Sequence, residues 1–303
     1  TEKYAVVNFP VCRGNRYRID LEETAKLLDR LDPELVIFGK SMVLHPEPVA
    51  EMRQMLEARK KRAFIMYDMA HVLGLVGPHF QQPFKEGADI VTGSTHKTFF
   101  GTQRGVIAVN FERNTPEFEL WKAIQRRAFP GMVSNHHLGS LVGLLLSVIE
   151  MNAFKGEYQP QVIANAKALA RALKDEGLDV QGDSSVSYTE THQVIVRVGY
   201  ARASRIARRL ERNNIIVNYQ ALPGDEGFTA SSGLRLGVSE MTRFGMKEKD
   251  FQAFAPLFAA VVKDGREVAE EVLKFREGFQ RMQYCFEDAS EMASFREKWL
   301  RTF

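Results

Sequence analysis

Cysteine is scarce in this chain. Cys12 and Cys285 are the two among 303 residues, far apart and without metal-ligand spacing. That scarcity fits a reduced, cytoplasmic setting better than a disulfide scaffold. Net charge is also small, at +3, so the overall balance points to no nucleic-acid partner. Long hydrophobic runs are missing. The most apolar, LGSLVGLLLSVI from Leu138 to Ile149, falls short of the roughly 20 residues a membrane span needs, so it reads as a buried helix and no membrane partner is expected. No signal-peptide pattern opens the chain, and repeats, low complexity and linker-like stretches are absent. The sequence starts at Thr1 and passes almost at once into a strand-like YAVVNF, an abrupt beginning.

What is present is an ordinary globular composition, 45% hydrophobic and 26% charged, over a length that suits about two domains. The first half alternates short apolar runs with helical stretches. LVIFG (Leu35–Gly39), AFIMYD (Ala63–Asp68), ADIVTGS (Ala88–Ser94) and GVIAVN (Gly105–Asn110) read as strands, and Pro46 to Lys60 as a helix with proline in its first turn. Such alternation predicts an α/β fold, a mostly parallel sheet with helices on both faces. Ligands of these sheets bind beyond the carboxyl ends of the strands, where Asp68 and the Ser94–Lys97 loop lie.

The second half changes character. Tyr158 to Gly177 reads as one amphipathic helix, Ala203 to Asn213 as a basic-faced helix, and Lys247–Lys263 and Arg266–Phe279 as two more. QVIVRV (Gln193–Val198), IIVNY and SGLRLGV (Ser232–Val238) read as strands. This suits a smaller α+β domain. The expected division is 1–157 for part of a large domain and 158–303 for a small C-terminal one, with a charged, solvated helical tail after Cys285.

Three stretches hold residues suited to chemistry. In VTGSTHKTFFGTQRG, from Val91 to Gly105, burial cannot explain Lys97 and exposure does not explain Phe99 and Phe100. A lysine in such a loop suits Schiff-base chemistry, given neighbours that favour its neutral amine; the plainer alternative is a solvated lysine. In YDMAHVLGLVG, Asp68 ends a strand and His71 follows three residues later. A carboxylate there can keep a pyridine nitrogen protonated, or cap a helix; His71 can contact a cofactor or serve the structure. In SSGLRLGVSEMTRFGM, Arg235 stands between two leucines on a strand. Its fork suits a substrate carboxylate or an internal salt bridge equally well.

Together DMAH…GL, THKT…G…RG and SGLRLG…TR, in that order and at those separations, resemble serine hydroxymethyltransferases, pyridoxal-phosphate enzymes of the aspartate-aminotransferase fold (fold type I). The resemblance runs from about Val6 to Phe254. It implies that Lys97 forms the Schiff base, that Asp68 pairs with the pyridine nitrogen, that His71 lies at the ring, and that Ser41 in FGKS and Thr95 lie near the cofactor. It also implies that Arg235 holds the substrate carboxylate, with His96 as a helper in moving the hydroxyl proton. The chain departs from the family at FPGMVSNHHLGS (Phe129–Ser140), at GTQRG, and before Arg235. These departures leave tetrahydrofolate use open. SNHH, NAKALAR…GLDV, TETHQV and MTRFGMKEKDF are similar to the folate-independent L-threonine transaldolase branch. The resemblance implies a transferase that makes or breaks the Cα–Cβ bond of β-hydroxy amino acids, with an aldehyde or one-carbon acceptor, working as a homodimer or larger. It also implies that a family segment bearing the phosphate loop and a ring-stacking histidine precedes Thr1, which makes a non-catalytic subunit needing a partner chain the remaining alternative.

Overall fold

The computed structural model describes residues 5–301. The chain divides into two compact units, one of residues 1–41 and 47–147, the other of residues 42–46 and 148–303.

The first unit contains α1 (Leu21–Arg30), β1 (Leu35–Phe38), α2 (Val49–Ala58), β2 (Phe64–Asp68), β3 (Ile90–Ser94), β4 (Gly105–Val109) and α3 (Pro116–Arg126). The strands form one sheet in the order β1-β2-β3-β4. β1, β2 and β3 are parallel, and β4 returns antiparallel to β3 with Ser94 opposite Gly105. The apolar strand runs and the helix between β1 and β2 are those the sequence predicts. Val36, Phe38, Ile65, Tyr67, Ile90 and Val91 are buried with Val49, Met52 and Leu56 of α2. α1 starts at Asp20, whose side chain accepts the Glu23 N–H at 3.0 Å, an N-cap that satisfies one of the helix's unpaired donors. The expected strand YAVVNF begins at Tyr4, outside the described residues. Ala5 to Phe9 pair with no strand, and Val6 is 83% exposed.

A polar network lies beneath β2. Gln81 is buried and uses both ends of its amide. Its Oε1 accepts from the Glu47 N–H at 2.9 Å and the Tyr67 hydroxyl at 3.1 Å, and its Nε2 donates to the Glu47 carbonyl at 2.8 Å and to Glu86 at 2.7 Å. The buried Glu47 carboxylate pairs with Lys40 at 2.8 Å. Such groups are costly to leave unmatched. Their pairing fixes Tyr67, and with it the strand end at Asp68. Burial and the neighbouring carboxylates push the Tyr67 phenol well above its usual pKa, so it stays a donor.

The second unit contains most of α4 (Leu138–Asp175), then β5 (Asp179–Val180), β6 (Gln193–Arg197), α5 (Ala203–Arg212), β7 (Asn218–Gln220), β8 (Gly233–Gly237), α6 (Ser239–Arg243), α7 (Glu248–Ala259), α8 (Ala269–Arg276) and α9 (Ala289–Leu300). Its sheet is antiparallel throughout, in the order β5-β6-β8-β7. Two expectations are corrected here. The stretches from Leu138 and from Tyr158 are a single 38-residue helix that continues through Pro160. Of IIVNY only the last residues enter a strand, because β7 begins at Asn218 and Ile216 is 85% exposed.

The start of α4 is not buried, contrary to its apolar sequence. Leu138, Leu141, Val142, Leu145 and Leu146 are exposed, whereas Tyr158, Val162, Ala166, Leu169 and Leu173 are core residues of the second unit. By length and composition alone, α4 is long and apolar enough to cross a membrane. Its second half behaves instead as a core helix. Asn165, fully buried, donates to Thr242 Oγ1 and to the Met246 carbonyl, each at 2.8 Å.

Candidate active site

The first unit gathers six of the seven residues singled out in the sequence at the carboxyl ends of its parallel strands. Ser41 follows β1, Asp68 ends β2, His71 lies in the turn after it, and Thr95, His96 and Lys97 follow β3. Such a row is dictated by parallel pairing. β1, β2 and β3 run the same way, so all their exits open on one edge. Arg235, on β8, belongs to the second unit.

Asp68 is exposed, and its Oδ1 accepts the Ala70 N–H at 3.0 Å, which turns the chain toward His71. Gly39, at the exit of β1, has φ of +133°. A Cβ there would lie 2.5 Å from the Asp68 carbonyl oxygen and 2.8 Å from the Asp68 Cβ. Only glycine lets β1 leave the sheet so close to Asp68. On the other side Thr92 of β3 is in register with Asp68. Its Oγ1 is buried and has no hydrogen-bond partner among the described residues.

Lys97 is exposed, with its Nζ 3.3 Å from His71 Nε2. The loop that presents it, residues 95–104, is closed from within. The Thr95 N–H donates to the Arg104 carbonyl at 3.0 Å, and the Gly101 N–H to the Thr95 carbonyl at 2.6 Å. The buried Thr95 hydroxyl lies 2.6 Å from the Thr102 carbonyl and 3.1 Å from that of Arg104. Thr95 therefore spends its side chain on the shape of the loop. The next segment anchors the far end. Thr102 Oγ1 donates to the Ser140 carbonyl at 2.6 Å, and the Arg104 guanidinium donates to the His137 carbonyl. His96 is exposed on the same turn.

The lysine loop is also clamped to the turn that holds His71. The Gly74 N–H donates to Thr98 Oγ1 at 2.9 Å, and a Cβ on Gly74 would fall 2.0 Å from the Thr98 carbonyl oxygen. This close approach sets the His71–Lys97 distance. It explains why a small residue follows His71 by three positions and why threonine follows Lys97. Gly39, Gly74, Thr92 and Thr98 were not picked out in the sequence. The only local trace was glycine directly after an apolar run.

Arg235 stands on β8 between β6 and β7, opposite Ile195 and Asn218. Its guanidinium is half-buried, and burial lowers its pKa from the usual value, though an arginine stays charged at neutral pH.

The residues of the first unit fit pyridoxal phosphate. They offer an accessible amine with an imidazole beside it, a carboxylate at the neighbouring strand end, and a buried hydroxyl awaiting a polar partner. That combination serves an aldehyde and a heteroaromatic nitrogen better than a metal, for which carboxylates and imidazoles would have to converge.

Comparison with known proteins agrees. The family model described as serine hydroxymethyltransferase matches residues 2–258. The serine hydroxymethyltransferase of Archaeoglobus fulgidus is 42% identical over 291 residues, covering 94% of this chain and 64% of that protein. That of Thermococcus gammatolerans is 43% identical over 280 residues, covering 89% and 64%. The crystal structure of L-threonine transaldolase from Pseudomonas fluorescens, in its internal aldimine state, superposes with a TM-score of 0.83 at 34% identity, covering 95% of this chain and 66% of that one. The chain thus spans just under two thirds of the length of these relatives.

Proposed function

Because this chain belongs to the serine hydroxymethyltransferase family and has the fold of the fold type I enzymes, we propose that it is a pyridoxal-phosphate-dependent transferase. In this reading it makes or breaks the Cα–Cβ bond of β-hydroxy amino acids. The observation that carries the reading is the exposed Lys97 amine, held 3.3 Å from His71 on the sheet edge where Asp68 ends the adjacent strand.

When bound, pyridoxal phosphate supplies an aldehyde for covalent attachment and a protonated ring that accepts the electron pair of the breaking bond. The chain's own residues do the rest. Lys97 provides the attaching amine, and its loop, fixed by Thr95 and Thr98, gives that amine one approach. Asp68 would keep a proton on the ring nitrogen, and Gly39 and Thr92 hold the strand ends on either side of Asp68. His71 exchanges a hydrogen bond with the Lys97 amine, and Ser41 lines the exit of β1. His96, exposed on the same loop, would at most assist in holding the proton released by a β-hydroxyl, a task the family resemblance assigns first to a glutamate of its N-terminal segment. By the family resemblance, the substrate α-carboxylate is assigned to Arg235, on β8 of the second unit, whose fork suits a carboxylate.

Two acceptor chemistries are open to such a site. Hydroxymethyl transfer uses tetrahydrofolate as one-carbon acceptor; transaldolation passes the glycyl group to a second aldehyde. The first follows the names of the archaeal relatives and is our main reading. The superposition on the transaldolase favours the second. Assays of the 303-residue chain with pyridoxal phosphate separate them. Glycine formed from serine and increased by tetrahydrofolate is the expected result. Acetaldehyde released from threonine together with a new β-hydroxy amino acid formed from an added aromatic aldehyde, without folate, identifies the transaldolase reaction. Turnover of neither substrate overturns both and leaves a subunit that stabilises a partner chain.

We further propose that the chain works in the cytoplasm as a homodimer, with the exposed apolar start of α4, from Leu138 to Leu146, as the contact. Leaving these side chains in water forfeits about 25 cal/mol per Å² of apolar surface. Light scattering is expected to give twice the chain mass; a monomer at micromolar concentration overturns this.

A further inference from the structure

The net charge of +3 hides a strong local concentration of positive charge. α5 has two unlike faces. Ala203, Ile206, Ala207 and Leu210 are buried, and the helix packs by this stripe toward β7 and β8. Its other face presents Arg202, at the N-cap, then Arg205, Arg208, Arg209 and Arg212. Residues three or four apart on a helix are neighbours, so Arg205, Arg208 or Arg209, and Arg212 form a ladder of like charges. The side chains of Arg202, Arg205, Arg208 and Arg212 have no ion pair or hydrogen bond among the described residues.

The helix dipole accounts for part of this. Arg209 and Arg212 in the last turn are favourably placed, but Arg202 and Arg205 oppose the dipole at the first. A solvated surface would also let the side chains spread, whereas here one of them is fixed. The half-buried Arg209 donates from Nη1 to the Val261 carbonyl at 3.2 Å. It passes over Gly265, whose φ is +69° and where a Cβ would lie 2.9 Å from that same nitrogen. Ser204, Arg205, Arg208, Arg209 and Arg212 together line an open surface hollow along one face of the helix. Four guanidinium groups along one open helix face favour a ligand with several negative charges close together. The planar fork of arginine matches phosphate oxygens two at a time.

We infer that this face of α5 binds a small anion with two or more linked phosphate groups. Arg205, Arg208 and Arg212 clasp it, Arg209 forms a fixed base, and the Ser204 hydroxyl donates at one end. The linked phosphates could belong to an inorganic polyphosphate or to a nucleoside triphosphate.

The test is calorimetric titration of the 303-residue chain with tripolyphosphate and, separately, with ATP, at about 50 mM salt so that screening stays modest. Three variants are compared with wild type. One carries Arg205→Ala with Arg208→Ala, one carries Arg208→Glu alone, and a charge-matched control carries Arg13→Ala with Arg30→Ala. All these side chains are exposed, so melting temperatures should not move. Both ligands are expected to bind wild type and the control equally. Each α5 variant should bind at least about tenfold more weakly, a factor that calorimetry resolves. Equal affinity for the two ligands identifies the phosphate chain itself as the ligand. Tighter ATP binding with the same arginine dependence identifies the nucleotide. Absence of binding to wild type overturns the inference, as does an equal loss in the control, which would mean diffuse surface charge.

Discussion

Replacing Lys97 by alanine is expected to abolish reductive labelling of the chain. With pyridoxal phosphate and borohydride, intact mass should show one pyridoxyl adduct on wild type, mapped to the peptide containing Lys97, and none on the variant. Turnover should fall by about 10³-fold or more, since the attaching amine and its proton transfers are lost together. The fold should survive. Lys97 is exposed and its one side-chain hydrogen bond among the described residues is with His71, and surface changes of this kind usually alter stability by under about 0.5 kcal/mol. Lys97→Arg refines the result. It keeps the positive charge beside His71 but cannot attach, so it should be as inactive as alanine. Labelling that persists in Lys97→Ala, or spreads over surface lysines in wild type, would refute the assignment.

Arg235→Ala should produce the second largest effect, on amino-acid recognition. Truncating one partner of a desolvated ion pair costs about 2–5 kcal/mol, so kcat/KM for serine should fall roughly 30- to 5,000-fold. Arg235→Lys keeps the charge but loses the two-pronged geometry, and should fall between the two. A merely structural arginine could also lower activity, so the deciding measurement is selectivity. Wild type should bind serine far better than 2-aminoethanol, which lacks the carboxylate. The alanine variant should lose that preference while its affinity for 2-aminoethanol stays the same. If both ligands weaken in parallel, Arg235 supports β8 and does not meet the substrate.

These expectations rest on a site whose parts were unequally visible in the sequence. Asp68 and Lys97 could be located because each follows a short apolar run bounded by turn residues, which fixes a strand end within a residue or two. The conformation around them could not. The clamp between Gly74 and Thr98 joins positions 24 residues apart, and the network of Gln81, Glu47 and Tyr67 joins positions up to 34 apart. No local pattern encodes such pairings. Thr95 shows the same limit. The family resemblance put it near the cofactor, and the structure adds that its hydroxyl closes its own loop.

Periodicity misled where burial depends on what surrounds an element. The run from Leu138 to Ile149 has a core-like composition, yet its first turns are exposed in the single chain. Apolarity reports that a surface prefers to leave water, not which surface covers it. The amphipathic pattern suggested a helix from Tyr158, but the helix begins at Leu138 and runs through Pro160. Packing of Val162, Ala166 and Leu169 outweighs the hydrogen bond that proline removes.

Local spacing and residue type were enough to read the alternation of strands and helices and to single out Lys97, Asp68 and Arg235 as candidates. Folding alone set how Lys97 meets His71, which glycines permit that approach, and that four arginine side chains of the α5 face have no ion pair or hydrogen bond among the described residues. Those outcomes depend on contacts between distant segments, and a linear pattern cannot fix a distance that folding alone creates.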